Sequence, residues 1–188
     1  MIRRQLITGL LMTVALVVLA GLVYPLAVTA AAKIAFPYRA NGSLVEQNGA
    51  VVGSALLARP SNGDPRQFQP RPSAASGGVS GASNLGPTNP KLVSQIAQWT
   101  AAYRAFNRLA GDAAVPPDAV TASASGFDPD ISPANARLQA PRVAAARGLP
   151  LATVMKLVNS HVYGRQLGFL GEPTVNALDL NVDLDKLR

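Results

Sequence analysis

The N-terminal stretch of the chain decides how the rest is organised: residues 5–32 read QLITGLLMTVALVVLAGLVYPLAVTAAA. This stretch contains no Asp, Glu, Lys, Arg or His. Because an α-helix rises about 1.5 Å per residue, the stretch can reach roughly 40 Å, more than the hydrocarbon core of a bilayer at about 30 Å. The sequence therefore predicts a transmembrane helix at residues 5–32. Residues 33–188 have the length of one small domain.

The basic residues around this helix predict its orientation. Arg3 and Arg4 precede the helix, whereas Lys33 and Arg39 follow it more loosely. Cytoplasmic flanks carry an excess of Lys and Arg, so we expect residues 1–4 in the cytoplasm and residues 33–188 in the periplasm. The absence of cysteine is compatible with that compartment. The alternative is a cleaved signal peptide, but the apolar region of a signal peptide spans about 7–15 residues and this one is longer.

Small residues recur along the predicted membrane helix. Gly9, Thr13 and Ala20 lie near one helical stripe. Small side chains let membrane helices approach closely, so these three residues are candidates for contact with a partner helix, although such residues are also common in any membrane helix. Pro25 removes the backbone donor that would pair with Gly21, so we expect the helix to kink or loosen there.

Charge is unevenly distributed along a chain whose formal net charge is +7. Residues 112–131 hold four Asp and no base, whereas residues 137–165 hold five bases and no acid. Such blocks suit docking onto another protein or onto anionic headgroups, although solvated faces have the same appearance. No basic stretch is interleaved with stacking aromatic residues, which argues against nucleic-acid binding.

The first part of the predicted domain contains a hairpin and a long loop. Leu44 to Gln47 and Ala50 to Leu57 flank Asn48-Gly49, a pair that tolerates positive φ, so we expect a β-hairpin. Half of residues 59–90 are Pro, Gly or Ser, a composition that predicts a loop. A loop of this length in a compact domain is either disordered or has a binding role.

The remainder predicts a small α+β domain with short strands and about three to four helices. Asn89 and Pro90 start the strongest helix and Gly111 ends it. Its apolar stripe, which we interpret as core packing rather than as a ligand-stacking surface, consists of Leu92, Ile96, Trp99, Tyr103 and Phe106. The other expected elements are a strand at residues 119–122, helices at 133–139 and 141–147 separated by Pro141, a helix at 150–163, and a strand at 174–180 followed by an acidic tail.

No segment carries the pattern of a catalytic or metal site. Ser76, Gly77 and Gly78 open a glycine-rich run that resembles a phosphate cradle only weakly, because the run lacks a following lysine and a preceding strand. Asp128 and Asp130 lack the other ligands of a calcium loop. The lone histidine, His161, has no hydrolase motif or zinc-ligand partners, so we interpret it as structural or interfacial. We therefore predict no catalytic residue, no metal site and no cofactor bound by the chain itself.

Three stretches together resemble a known family. They are Arg71-Pro72-Ser73-Ala74 with Ser83-Asn84-Leu85-Gly86-Pro87-Thr88-Asn89-Pro90, then VPPDAVTASASGFDPDIS at residues 115–132, then GRQLGFLGEP at residues 164–173 followed by Val175-Asn176. In this order they resemble the C subunit of the Kdp potassium-transporting ATPase. The resemblance runs from the basic N-terminus to the last predicted strand.

The resemblance implies a subunit of a complex in the bacterial inner membrane. Its expected partners are a channel-like potassium-binding subunit and a P-type ATPase subunit, with membrane lipid around the anchor. This chain has neither a large cytoplasmic domain with a phosphate-accepting aspartate nor the carbonyl filter of a potassium channel. We therefore expect an accessory subunit that is not catalytic by itself and that assembles, stabilises or tunes its partners. Potassium is then handled by a partner, and ATP enters only through the complex.

Two other functions are considered. The first is a catalytic chaperone that raises the ATP affinity of the ATPase subunit through a transient ternary complex, with Ser76, Gly77, Gly78, Ser83 and Asn84 as weak nucleotide-binding candidates. ATP is cytoplasmic, however, and the expected orientation places these residues outside. The second is an unrelated membrane-anchored periplasmic binding module.

Polar residues within the matching motifs, together with the small residues of the anchor, are the candidates for partner contact. An alternative role for the polar ones is to stabilise loops through hydrogen bonds. The candidates are Gly9, Thr13, Ala20, Arg71, Asn84, Asn89, Arg165, Gln166 and Glu172.

Overall fold

The computed structural model describes residues 2–187, and the chain divides into two compact units, Met1–Leu44 and Val45–Arg188. The first unit is a helix with three consecutive parts: α1 (Ile2–Val18), a π turn (Leu19–Val23) and α2 (Tyr24–Ala35). A short helix, α3 (Pro37–Ala40), follows. The stretch Ile2–Ala35 has a mean hydropathy of 2.6 and no buried residue, so by length and composition it can cross a membrane.

The π turn lies where the sequence predicts a weakness. Pro25 has no N–H for the carbonyl of Gly21, and Gly21 lies inside the π turn. The helix thus loosens before Pro25, as expected. One consequence was not predicted: Gly9 and Thr13 lie in regular α-helix, whereas Ala20 lies within the turn. The three residues therefore do not continue as one regular helical stripe.

The second unit begins with the predicted hairpin. β1 (Leu44–Gln47) and β2 (Ala50–Ser54) form a two-stranded sheet. The turn residues Asn48 and Gly49 have φ values of 54° and 78°, as the Asn-Gly pair predicts. The hairpin is confirmed, although β2 ends at Ser54 rather than at Leu57.

The Pro/Gly/Ser-rich loop of residues 59–90 forms no helix or strand before Pro90, apart from an isolated bridge between Ser76 and Val79. Its anchor is Phe68, which is fully buried in the core. Asn181 fixes the backbone of Phe68 from both sides, because its Oδ1 accepts from Phe68 N at 2.8 Å and its Nδ2 donates to Phe68 O at 2.9 Å. The loop is therefore part of the packed domain and not a disordered connection.

Helix α4 (Pro90–Asn107) starts as predicted but packs differently. The side chain of Asn89 accepts a hydrogen bond from Lys91 N at 2.9 Å and caps the helix. The helix ends at Arg108, whose φ is 55°, before the predicted end at Gly111. Asn107 is the buried residue of this helix, whereas Trp99, Tyr103 and the rest of the apolar stripe are partly exposed. The interpretation of the stripe as core was therefore wrong.

The predicted strand at residues 119–122 is also wrong. Pro117–Ala119 form a 3-10 helix instead. Pro116 and Pro117 have the restricted φ that favours a tight turn, and the turn is closed by Ala119 N donating to Pro116 O at 3.0 Å. The hydroxyl of Thr121 also donates to Pro117 O, at 2.7 Å.

Helix α5 (Pro133–Arg147) is continuous, so the predicted break at Pro141 was wrong. Ser132 caps its start and Gly148, with a φ of 67°, ends it, as predicted. Pro141 lies on the exposed face of the helix. The residues around it, Ala140 and Val143, are fully buried. Their packing outweighs the single hydrogen bond that a proline removes.

The predicted helix at 150–163 is α6 (Leu151–Ser160) followed by a short strand, β4 (Val162–Tyr163). β4 pairs antiparallel with β5 (Thr174–Asn176), which also pairs antiparallel with an unpredicted strand, β3 (Asp130–Ile131). The sheet order is therefore β3-β5-β4. Val175 at its centre is opposite both Ile131 and Val162.

The expected strand at 174–180 was wrong beyond Asn176. The side-chain oxygen of Asn176, Oδ1, accepts from Leu178 N at 3.0 Å and from Asp179 N at 3.1 Å, and so caps the start of α7 (Ala177–Leu184). The first part of the expected acidic tail, residues 181–184, is therefore helix, with Leu180 and Leu184 facing the core, and Arg188 of the tail lies outside the described residues. The core is formed by the three-stranded sheet, α5, α6, α7 and Phe68, and its fully or nearly fully buried members are Phe68, Ile131, Ala136, Ala140, Val143, Ala144, Val154, Val158, Val175, Leu180 and Leu184.

Candidate functional site

Two surfaces of the second unit contain several of the predicted site residues. The first is a cleft of about 640 Å³, here called the aromatic cleft. Trp99, Tyr103 and Phe106 of α4 line it, together with Ser76, Gly77 and Gly78 of the glycine-rich run. The spacing of these aromatic residues predicted one helical face correctly, but nothing in the spacing distinguished a core face from a cleft wall.

The polar side chains of the aromatic cleft are bonded within the protein. The hydroxyl of Tyr103 donates to Asn135 Oδ1 at 2.8 Å, and Gln139 Nε2 donates to the same oxygen at 2.9 Å. Gln139 Oε1 accepts from Gln69 N at 2.7 Å. Burial raises the pKa of Tyr103, and the nearby charge of Asp118 adds to this effect. The phenol is therefore neutral at physiological pH and acts as a fixed hydrogen-bond donor.

Arg142 of α5 supports the cleft from the interior. Its guanidinium lies over the Phe106 ring, 4.5 Å from the centroid, and donates to Asn107 Oδ1 and Gln139 Oε1, both at 2.9 Å. It also donates to Gln67 O at 3.1 Å. Burial lowers the pKa of Arg142 to about 10, so the side chain keeps its charge at neutral pH. Arg142 thus joins α4, α5 and the 59–90 loop in one network.

Arg71, a predicted partner-contact residue, is bonded internally. Its Nη1 lies 2.9 Å from Asp128 Oδ2, and this ion pair holds the 59–90 loop against the segment that contains Asp128. Gly126 of that segment has a φ of 76°, and a Cβ at this position would lie 2.5 Å from the Cβ of Ala75. The hydroxyl of Ser73 donates to Gly126 O at 2.7 Å. The glycine at 126 therefore permits close packing of the two loops.

The nucleotide-binding candidates do not form one site. Ser76, Gly77 and Gly78 line the aromatic cleft, whereas Ser83 and Asn84 lie exposed and are not part of its lining. The one charged side chain among the residues that line the cleft is Arg71, which is already paired with Asp128. The cleft thus offers aromatic surface for a planar ligand, but no unpaired cation for a phosphate. Asn84, with a φ of 52°, adopts the left-handed conformation that Asn tolerates.

The second surface is the connection between β4 and β5, residues 164–172, here called the 164–172 turn. Gln166 and Leu170 exchange two backbone hydrogen bonds of 2.9 Å. Leu167 and Gly168 at its tip have φ values of 52° and 83°. The predicted contact residues Arg165 and Glu172 pair with each other, since Arg165 Nη2 lies 2.8 Å from both carboxylate oxygens.

This ordered turn presents apolar side chains to solvent. Leu167 is 83% exposed, Phe169 is 67% exposed, and Leu170 and the neighbouring Tyr163 are about half exposed. Sequence reasoning singled out the polar residues of the motif and missed these four. The available signal was an aromatic residue and two leucines between glycines, without the periodicity that would place them in a core.

Beside the turn lies a cleft of about 590 Å³, here called the acidic cleft, with Asp130, Asp179 and Glu172 in its lining. Burial raises the pKa of Asp130, and the charge of Asp128 adds to the shift. Burial also raises the pKa of Asp179, partly offset by His161. Within residues 2–187, neither Asp130 nor Asp179 takes part in a salt bridge.

His161 links two helices. Its Nε2 lies 3.0 Å from Asp183 Oδ2 in α7, and its Nδ1 lies 2.9 Å from Leu157 O in α6. Both ring nitrogens are thus committed to internal contacts. This agrees with the structural role predicted from the sequence.

The remaining candidates lie elsewhere. Asn89 caps α4, which is a structural role. In the first unit the Thr13 hydroxyl donates to Gly9 O at 2.9 Å, so the local helix satisfies the hydroxyl while both residues remain exposed, as does Ala20. Exposed small residues such as Gly9 and Thr13 are available for helix packing.

Comparison with known proteins identifies the family. Residues 6–186 match the family described as K+-transporting ATPase, c chain. The potassium-transporting ATPase KdpC subunit of Mycobacterium tuberculosis is 49% identical over 189 residues, which covers 98% of this chain and 100% of the relative. The KdpC subunit of Rhodospirillum rubrum is 51% identical over 187 residues, covering 97% of this chain and 96% of the relative. The corresponding protein of Koribacter versatilis is 47% identical over 187 residues, with 97% and 95% covered.

These matches span both the helix and the second unit, so the alternative of an unrelated anchored binding module is wrong. The chain belongs to the KdpC family of potassium-transporting ATPase subunits.

Proposed function

We propose that the chain is a non-catalytic accessory subunit of an ATP-driven potassium uptake complex. The main support is the family match over residues 6–186, together with one helix of membrane-spanning length and a small domain within residues 2–187. A single continuous helix leaves no room for an ion pathway of its own. The chain would assemble with a channel-like potassium-binding subunit and a P-type ATPase subunit, and stabilise or tune them.

In this proposal the chain lies in the bacterial inner membrane with residues 1–4 in the cytoplasm and the domain in the periplasm. Arg3 and Arg4 at the N-terminal flank support this orientation. The domain would dock on the potassium-binding subunit near the ion entrance, and Gly9 and Thr13 would pack against a partner helix. ATP and potassium would be bound by the partners and not by this chain.

Thiol labelling tests the orientation, because the chain has no cysteine. Ser94 lies exposed on α4 and Ile2 lies exposed at the start of α1. A membrane-impermeant thiol reagent should label Ser94→Cys in intact cells but not in inverted vesicles. The matched control, Ile2→Cys, should give the reverse pattern. Labelling of Ser94→Cys only in inverted vesicles would contradict the proposed orientation.

Purification of the complex tests the accessory role. An affinity tag on a partner subunit should retain this chain, and potassium-stimulated ATP hydrolysis should fall at least tenfold when the chain is omitted. The chain purified alone should hydrolyse no ATP. Full potassium-stimulated activity of the partners without the chain would contradict the proposal.

The catalytic chaperone is kept as a second candidate because Ser76, Gly77 and Gly78 line the same cleft as the three aromatic side chains of α4. Trp99 is the one tryptophan of the chain, so its fluorescence reports on this cleft directly. Under the favoured proposal, ATP causes no saturable quenching of Trp99 in the purified chain or complex. Saturable quenching that Tyr103→Ala weakens, with GTP and inorganic phosphate as controls, would make the chaperone role the leading account.

A further inference from the structure

The 164–172 turn and the acidic cleft together have the properties of a protein-docking surface. A flexible loop could hide its apolar side chains by collapsing onto the domain. Here the paired backbone hydrogen bonds of Gln166 and Leu170, and the two contacts from Arg165 to Glu172, keep the tip extended. Because the turn is already ordered, it loses little conformational entropy when a partner binds. Exposed clusters of large apolar side chains mark interaction sites.

The backbone at the tip indicates that the apolar residue is not there for local stability. Leu167 has a φ of 52°, a left-handed conformation that is unfavourable for a leucine. Its side chain is 83% exposed and so recovers little of this cost by packing. A leucine at this position gains its contacts only when another surface covers it.

The charges next to the tip specify the chemistry of that surface. Asp130 and Asp179 line the adjacent cleft without a salt bridge in the described residues, and Glu172 contributes a third carboxylate. The nearest base in the turn, Arg165, is already paired. Such a net negative surface is repelled by anionic lipid headgroups, which attract Lys and Arg clusters. It complements a partner that presents a basic side chain.

We propose that the 164–172 turn and the acidic cleft form one docking site for a partner polypeptide, which receives Leu167 and Phe169 in an apolar socket and extends a Lys or Arg side chain toward Asp130 and Asp179. The identity of the partner as another subunit of the complex rests on the proposed function. The raised pKa values of both carboxyls agree with it, because each charge is partly desolvated before a partner cation arrives.

The test uses the full chain expressed with its partner subunits. Leu167→Ser combined with Phe169→Ser should lower the amount of complex retained on a tagged partner at least tenfold. The matched control is Val79→Ser, which removes an apolar side chain of similar exposure, 70%, from the glycine-rich run and should leave retention unchanged. Asp130→Lys should also lower retention at least tenfold, and Asp130→Asn should reduce the salt dependence of association.

The outcomes separate this inference from the proposed function. If the unmodified chain is retained and the Leu167→Ser, Phe169→Ser variant is retained equally well, the docking site is wrong while the accessory role stands. If the unmodified chain is not retained by any potassium-transporting partner, the accessory role itself fails.

A fluorescence measurement distinguishes a protein partner from lipid. Phe169→Trp in a Trp99→Phe background places the one tryptophan at the tip of the turn. Its emission should shift to shorter wavelength when partner subunits are added, but not in nanodiscs of phosphatidylethanolamine and phosphatidylglycerol alone. A shift in the nanodiscs without partners would overturn the proposal in favour of lipid contact.

Discussion

The aromatic cleft and the 164–172 turn both contain aromatic side chains, and sequence analysis singled out motifs in both. They differ in whether these side chains are packed within the domain or exposed to solvent. In the cleft, Tyr103 is fixed by Asn135, and the buried Arg142 packs against Phe106 of the wall. In the turn, Leu167 and Phe169 project into solvent from a cross-bonded backbone. The side chains of the cleft therefore have their hydrogen bonds and ring contacts within the domain. The apolar side chains of the turn lack such contacts and can gain them only from a partner.

This contrast predicts that substitutions in the cleft network mainly change stability and that substitutions in the turn mainly change assembly. The largest effect is expected for Arg142→Met. It removes the donor to buried Asn107 Oδ1, to Gln139 Oε1, which keeps the bond from Gln69 N, and to half-buried Gln67 O; because a buried acceptor without its donor costs about 1–3 kcal/mol and the contact with Phe106 is also lost, we expect a loss of about 3–5 kcal/mol in the free energy of unfolding. Urea denaturation of the full chain, followed by Trp99 fluorescence, measures the loss. The control Arg137→Met, at an exposed position on the same helix, should cost less than about 1 kcal/mol.

Gly126→Ala should have the next largest effect. A Cβ at this position meets the Cβ of Ala75 at 2.5 Å, and the φ of 76° is unfavourable for alanine, so we expect a loss of about 2–3 kcal/mol in the free energy of unfolding. The same denaturation experiment on Gly86→Ala provides the control, because no atom lies within 4 Å of a Cβ there and its φ is not positive. Equal effects of the two substitutions would show that the packing of the two loops contributes nothing to stability.

Asp130→Asn should instead raise stability slightly, by less than about 1 kcal/mol after allowing for solvent screening at this half-exposed site. The pKa of Asp130 is raised in the folded protein above its ordinary value of 3.8. The raised pKa means that protonated Asp130 contributes to the free energy of unfolding. This contribution is fully present below pH 3.8 and is lost as the pH rises through the pKa of Asp130 in the folded protein. The gain from Asp130→Asn should therefore appear at neutral pH and vanish in acid.

Asp185→Asn is the matched control for that prediction, with the opposite sign. Burial alone would raise the pKa of Asp185, but hydrogen bonds from Arg147 and Gln47 outweigh burial and lower it. Its contribution to stability is present above pH 3.8 and is lost as the pH falls through the folded pKa. Asp185→Asn should thus destabilise the chain at neutral pH. A pH series of urea midpoints distinguishes the two carboxyls, and parallel curves would contradict this account.

The sequence was sufficient for the features that depend on local chemistry. The apolar run at residues 5–32, the Asn48-Gly49 turn, and the Asn89 and Ser132 caps each contain in a few neighbouring residues the cause of the structure they form. The π turn before Pro25 also has a local cause, because the N–H that Pro25 lacks would bond to the carbonyl of Gly21, only four residues earlier.

The predictions that were wrong concern features that depend on contacts between residues distant in sequence. α5 continues through Pro141 because Ala140 and Val143 pack on the core, and the residues after Asn176 form a helix because Leu180 and Leu184 complete that core. No periodicity of α4 could show that its aromatic face would border a cleft. In the 164–172 motif, polar residues were chosen as contact candidates, although Arg165 and Glu172 satisfy each other and the exposed apolar residues are free to bind.

The smallest effect on stability, and the sharpest separation of the two regions, is expected for Leu167→Asn. Asparagine tolerates the left-handed conformation at φ 52° better than leucine, and the leucine side chain makes little contact to lose, so the free energy of unfolding should stay unchanged or rise by up to about 0.5 kcal/mol. Retention of the chain by its partners should nevertheless fall at least tenfold, because the apolar contact is lost. A variant that is at least as stable as the unmodified chain but assembles poorly would show that the turn is shaped for its partner. If Leu167→Asn instead destabilises the chain and leaves assembly intact, the turn belongs with the cleft as a structural region.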